Sequence, residues 1–180
     1  EPFEDFELVD EAGRAAAVQL AGEETKLTIF QNPHELPLRM RTRSRRFYFQ
    51  ADAVPALGYK SWLLKRGGTG SIRQGSMVEG NGRALSNGLV RVEVNGNGTW
   101  SLTDLRRGRR FENLGLLEDD GEVGDPWVRF APKEERLITS EGCRAEIGVA
   151  EDGPLSATLS VRFPFRIPAC ALGFDQKRSD

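Results

Sequence analysis

The sequence predicts an all-β chain, and three observations predict it. No Gly- and Pro-free stretch of about a dozen residues carries apolar positions at the spacing of a helix face. The 20 glycines and 9 prolines are spread through the 180 residues rather than gathered in a tail, which is the punctuation of many short strands joined by turns. Between these breaks, β-rich runs alternate in hydrophobicity with period two. The segment nearest to a helix, residues 14–20 with Ala15, Ala16 and Ala17, is closed off by Gly13 and Gly22 and is too short to hold a helix alone.

The elements follow in order. Residues 6–9 read as a strand, 10–13 as a turn and 15–20 as the returning strand of a hairpin. Residues 26–30 form another β-rich run, followed by a loop in which Asn32, Pro33 and Pro37 surround His34. Residues 38–50 are the longest strand candidate. There Arg39, Arg41, Arg43 and Arg45 alternate with Leu38, Met40, Thr42 and Ser44, so all four arginines share one face. A turn at residues 54–58 leads to a short apolar strand at 59–64. Gly67, Gly68, Gly70 and Gly75 give residues 67–76 the composition of a flexible connection. The expected organisation is therefore a first part at 1–66, a Gly-rich linker at 67–76 and a second part at 77–180.

In the second part, Asn95-Gly96-Asn97-Gly98 supplies residues that accept positive φ between strands at 89–94 and 99–104, a hairpin signature. A turn at residues 106–108 follows. An acidic loop at 118–125 separates a short run at 114–117 from strands expected at 127–130, 136–139, 143–150 and 155–165.

Charge and composition exclude whole classes of function. Lys and Arg total 25 against 27 Asp and Glu, a net charge of -2, which gives no overall drive toward nucleic acid or an anionic membrane. No apolar run reaches the length of a membrane helix, and the first ten residues are acidic where a signal peptide would be basic. Cys143 and Cys170 are too few for a disulfide framework and are expected as free thiols. With His34 as the single histidine, a zinc centre with two or three His ligands cannot be assembled from this chain alone and a triad could use no other imidazole, and the G-x-S-x-G nucleophile turn that such a triad would need is not present. The arginine row beside Phe47, Tyr48 and Phe49 has the mixture of a nucleic-acid platform. Alternation instead makes it a solvated face, a charged edge or a surface facing another domain. The carboxylates of Glu118, Asp119, Asp120, Glu122 and Asp125 could hold calcium, but their spacing is not that of an EF-hand and a solvated turn is expected.

Three strings in sequence carry a family likeness: Val54-Pro55-Ala56-Leu57-Gly58-Tyr59, then Leu85-Ser86-Asn87-Gly88-Leu89-Val90-Arg91-Val92-Glu93-Val94, then Gly98-Thr99-Trp100-Ser101-Leu102-Thr103-Asp104. Their order and spacing resemble the C-terminal β region of glycoside hydrolase family 38 α-mannosidases. Phe111-Glu112-Asn113, Leu117-Glu118-Asp119 and Gly124-Asp125-Pro126-Trp127 continue the likeness, which extends over roughly residues 6–180.

The resemblance implies a small β-sandwich followed by the start of a galactose-mutarotase-like β-supersandwich. It implies an excised or truncated portion of a zinc-dependent retaining α-mannosidase that hydrolyses terminal α-mannosyl linkages, with zinc, nucleophile and acid on a catalytic domain outside these residues. No catalytic residue, metal ligand or cofactor is expected in the chain itself, and the piece alone is expected to be inactive. Its implied partners are that catalytic domain and a mannose-containing glycan, with no nucleic acid and no membrane, and a cytoplasmic location is expected. Trp127 and Asp125 are implied as substrate-binding residues, although Pro126 stands where the family's G-D-E-[YW] segment has an acidic residue. A stand-alone carbohydrate-binding or adhesion module is the alternative.

Overall fold

The computed structural model describes residues 5–31, 33–68, 74–124, 127–172 and 177–179. It is an all-β chain. Among the described residues the one helical element is a 3-10 turn at Ser140–Gly142. The chain divides into two compact units, one of residues 1–77 with 151–157 and the other of residues 78–150 with 158–180. Residues 69–73 of the Gly-rich stretch lie outside the described residues.

The first unit holds β1 (Phe6–Asp10), β2 (Val18–Phe30), β3 (Leu38–Phe49) and β4 (Trp62–Arg66). They make two antiparallel two-stranded sheets, β1 with β4 and β2 with β3. The faces meet through aromatic contacts, Phe6 with Phe47 at 5.1 Å between ring centroids and Phe49 with Trp62 at 5.2 Å. Phe6, Leu8 and Val18 are buried between them, with Ala16, Phe47 and Trp62 packed around. The result is a small sandwich whose core lies at one end of the β2–β3 ribbon.

The hairpin expected from residues 6–9 and 15–20 does not form as a ladder. Its remnant is an isolated bridge between Val9 and Ala15 and a bond from the Ala16 N–H to the Leu8 carbonyl. Asp10 controls this corner. Its buried carboxylate accepts the N–H groups of Ala12 and Arg14 at 3.0 and 2.9 Å and ion-pairs with Arg14 and Lys60. The Arg14 N–H and guanidinium, then Lys60, hold its pKa far below the usual carboxylate range. Past this tight turn Val18 packs face to face on Phe6 and Leu8 instead of side by side, so β1 takes β4 as its ladder partner. The strand expected at 26–30 is the outer part of β2, which begins at Val18 and absorbs an irregularity between Leu20 and Gly22.

The second unit opens with an antiparallel meander of five strands in sequence order: β5 (Val78–Glu79), β6 (Ala84–Ser86), β7 (Val90–Val94), β8 (Trp100–Asp104) and β9 (Arg109–Leu114). The β7–β8 turn forms as its residues predict. Gly98 has φ of +90° and donates to the Asn95 carbonyl at 3.0 Å, while the Asn95 amide donates to the buried Thr99 hydroxyl at 2.9 Å. Three two-stranded pairs follow: β10 (Glu118–Asp119) with β11 (Ile138–Thr139), β12 (Glu146–Glu151) with β13 (Thr158–Arg162), and β14 (Ala171–Leu172) with β15 (Lys177–Arg178). The strand expected at 127–130 is instead a bend, and those at 136–139, 143–150 and 155–165 shrink toward β11, β12 and β13.

Candidate functional site

The loop between β10 and β11 carries the residues that the sequence singled out. Its base is closed by Ser140, which is buried and bonds Leu117 twice: the Leu117 N–H donates to Oγ at 3.0 Å, and the Ser140 N–H to the Leu117 carbonyl at 2.9 Å. Asp119 forms an ion pair with Arg178, whose Nη1 also donates to the carbonyls of Asp119 and Arg136. Further out, the Val123 N–H donates to the Phe130 carbonyl at 2.9 Å and pins the two arms of the loop together.

Glu122 organises the tip. Its Oε1 accepts the N–H groups of Phe130 at 3.0 Å and of Gly124. These bonds, that of Phe130 first, hold its pKa below the ordinary glutamate value. Gly124 is required here, because a β-carbon would collide with the Val128 carbonyl. Arg129 ties Asp120, Glu122 and Glu135 together on the outside. The carboxylates of Asp119, Asp120 and Glu122 are thus engaged with arginines and backbone N–H groups.

Trp127 stands on this frame and is 87% exposed, with Phe130 57% exposed. A core position in the sandwich would bury the indole, and this one does not. Asp125 and Pro126 lie outside the described residues. Sequence reasoning passed over Glu122 as the organiser; a glutamate two residues before a glycine, with Phe130 downstream to complete the pair of donors, is the signal it left.

Cys143 and Cys170 are both free thiols, and the Cys143 thiol donates to the Pro164 carbonyl at 3.0 Å. His34 sits in an exposed loop. With the one imidazole there and these carboxylates committed to arginines, the described residues do not fit a zinc centre, and among them no three His, Cys, Asp or Glu side chains group to hold a metal. No helix among the described residues is long and apolar enough to cross a membrane.

The arginine row is more than a solvated face. In the β2–β3 register Arg39, Arg41, Arg43 and Arg45 lie opposite Ile29, Leu27, Thr25 and Glu23, and the same face runs on into Phe47 and Phe49 at the core. Glu23 accepts from both Arg43 and Arg45, and those two bonds lower its pKa, Arg43 more than Arg45.

No family model matches the chain. Over 87 residues it is 31% identical to a protein of Halalkalibacterium halodurans named "Putative mannosylglycerate hydrolase", a match covering 48% of this chain and 10% of that one. Among solved structures, it is similar to an α-mannosidase from Enterococcus faecalis V583, with a TM-score of 0.70 and 22% identity, covering 91% of this chain and 18% of the other. It is similar also to a glycosyl hydrolase family 38 protein from Enterococcus faecalis, with a TM-score of 0.72 and 22% identity, over 91% and 19% of the two chains. The chain therefore spans less than a fifth of each of these three proteins. The likeness that its motifs carry is found again in its backbone, and the fold of this chain is that of a segment of glycoside hydrolase family 38 α-mannosidases.

Proposed function

We propose that the chain is the non-catalytic β portion of an α-mannosidase, in which it packs against a catalytic domain and borders the sugar pocket. The reading rests on one observation, the match of 91% of the chain to a solved α-mannosidase at a TM-score of 0.70. The larger enzyme would hydrolyse terminal α-mannosyl linkages in the cytoplasm. The zinc that the resemblance implies would belong to that catalytic domain, since the described residues of this chain do not fit it. Residues 1–66 would be the small sandwich, 67–76 the linker and 77–180 the opening of the large sandwich.

Within this reading Trp127 meets the sugar. An indole packs on the C–H face of a pyranose and its N–H donates to a hydroxyl, and the ring is 87% exposed on a braced loop. Asp125 would accept a sugar hydroxyl beside it. The exposed indole also suits a stand-alone carbohydrate-binding module, and one experiment separates the two. The chain is expressed alone and together with the coding sequence that flanks it, and each product is given an aryl α-mannoside. Turnover by the longer polypeptide alone is the expected result. A longer polypeptide that binds mannosides without cleaving them would replace the enzyme reading with the binding module.

A further inference from the structure

The β2–β3 ribbon outruns the core that supports it. Its inner end is held by Val18, Phe47 and Phe49, but the outer end, residues 25–30 and 38–43, belongs to a sheet of two strands with no third strand beside it among the described residues. A two-stranded ribbon in water is marginal by itself. On the face of Arg39 and Arg41 it also exposes large apolar side chains: Leu27 is 61% exposed and Ile29 50%. Clustered exposure of that kind marks a surface that another surface covers.

Charge identifies what the cover must carry. On the inner half of the arginine face, Glu23 bridges Arg43 and Arg45. On the outer half, Arg39 and Arg41 lie opposite Ile29 and Leu27, and neither has an ion-pair partner among the described residues. The same spacing, about 7 Å between side chains two apart on a strand, is repeated there without a carboxylate. We propose that the outer β2–β3 face is a docking surface for an acidic, partly apolar surface of the catalytic part of the same enzyme, which places a carboxylate between Arg39 and Arg41 and apolar side chains on Leu27 and Ile29. The identity of that partner rests on the reading that the chain is one portion of a larger glycosidase.

The test uses the full-length enzyme. Hydrogen exchange of residues 25–30 and 38–43 is expected to be protected, and to speed up by roughly tenfold or more in Arg39→Glu/Arg41→Glu as the cover opens. Tip amides that exchange at the rate of an open loop in the unmodified enzyme would overturn the proposal whether or not the variant folds. The variant Arg39→Lys/Arg41→Lys, treated with a carbodiimide, should crosslink Lys side chains at 39 and 41 to Asp or Glu of the catalytic part. Crosslinks only between two copies of this segment, or retention of a single-stranded oligonucleotide by the arginine face, would also overturn it. Aryl α-mannoside turnover is read in parallel. A protected, crosslinked tip in a polypeptide without mannosidase activity refutes the assigned chemistry and leaves the docking surface standing, whereas an active enzyme with an exposed tip refutes the docking surface.

Discussion

Gln19 holds the peptide of Ser156 from both sides: its Oε1 accepts the Ser156 N–H at 2.8 Å while its Nε2 donates to the Ser156 carbonyl at 2.8 Å. The same Oε1 accepts the Leu155 N–H at 2.8 Å, and Nε2 also reaches Glu151 at 3.2 Å. Gln19 is only 4% exposed. One side chain on β2 thereby satisfies the backbone of residues 155–156, a segment that forms no ladder of its own.

Replacing Gln19 by Leu keeps the volume and strands those backbone groups. We expect a loss of about 3 kcal/mol, the cost of leaving two or three buried polar groups without partners. Gly153 supplies the cross-check, because a β-carbon there would overlap the Gln19 amide. Gly153→Ala should destabilise by a similar amount, and Gln19→Ala/Gly153→Ala by clearly less than the sum of Gln19→Ala and Gly153→Ala, since the shortened side chain vacates the space. Urea unfolding of the three variants measures this; strict additivity would show that the two residues do not share that space.

The β7–β8 turn yields the second prediction. Gly98 combines φ of +90° with a neighbour, Phe163, whose ring would lie 2.6 Å from an added β-carbon. Gly98→Ala therefore meets backbone strain and overpacking together, and is expected to cost about 2 kcal/mol or more. Gly96→Ala, where no atom lies within 4 Å and φ is not positive, is the control. Equal melting temperatures for the two variants would contradict the account.

The contrast between these two sites shows how far the sequence reaches. Asn95 to Gly98 is a local signal, since the bonds that close the turn, from the Gly98 N–H to the Asn95 carbonyl, from the Asn95 amide to the Thr99 hydroxyl and from the Thr99 N–H to Asn97 Oδ1, lie within residues 95–99, and so the hairpin was legible. The Gln19 contact joins residues 137 apart, and the β1–β4 ladder joins Phe6 to Arg66. Neither leaves a trace in periodicity, which is why residues 6–20 read as a hairpin and residues 155–165 as one strand. At the candidate site the residue type was legible and the setting was not. A Trp three positions before a Phe fits a core strand as well as a loop, and the choice is made by Glu122, which spends its carboxylate on the Phe130 and Gly124 N–H groups and so takes them out of any ladder.

Glu122 makes the loop sensitive to acid in a defined direction. Its folded pKa is lowered, so the stability it contributes is present above the free glutamate value of 4.5 and is lost as pH falls through the depressed value. The amide proton shifts of Phe130 and Gly124 should therefore titrate with a midpoint below 4.5, and Glu122→Gln should abolish that titration. A midpoint at or above the free value would mean that these N–H groups do not favour the ionised carboxylate.

The sharpest prediction concerns Trp127 in the larger enzyme proposed above. With 87% of its surface exposed and the loop braced by Glu122, Val123 and Arg129, removing the indole takes little from the fold. Trp127→Ala should therefore leave the melting temperature within about 2 °C of the parent, as surface substitutions away from packing do. If the ring packs on the mannosyl unit, kcat/KM for an aryl α-mannoside should fall tenfold or more, about 1.4 kcal/mol of transition-state binding. Trp127→Tyr, which retains an aromatic face and a polar edge, should recover much of the loss. The split between the constants says where the contact is made: a rise in KM alone marks uniform binding of the sugar, and a fall in kcat marks contact strengthened in the transition state. Unchanged kinetics in Trp127→Ala would remove the residue from the site and leave the loop as a surface for something other than the substrate.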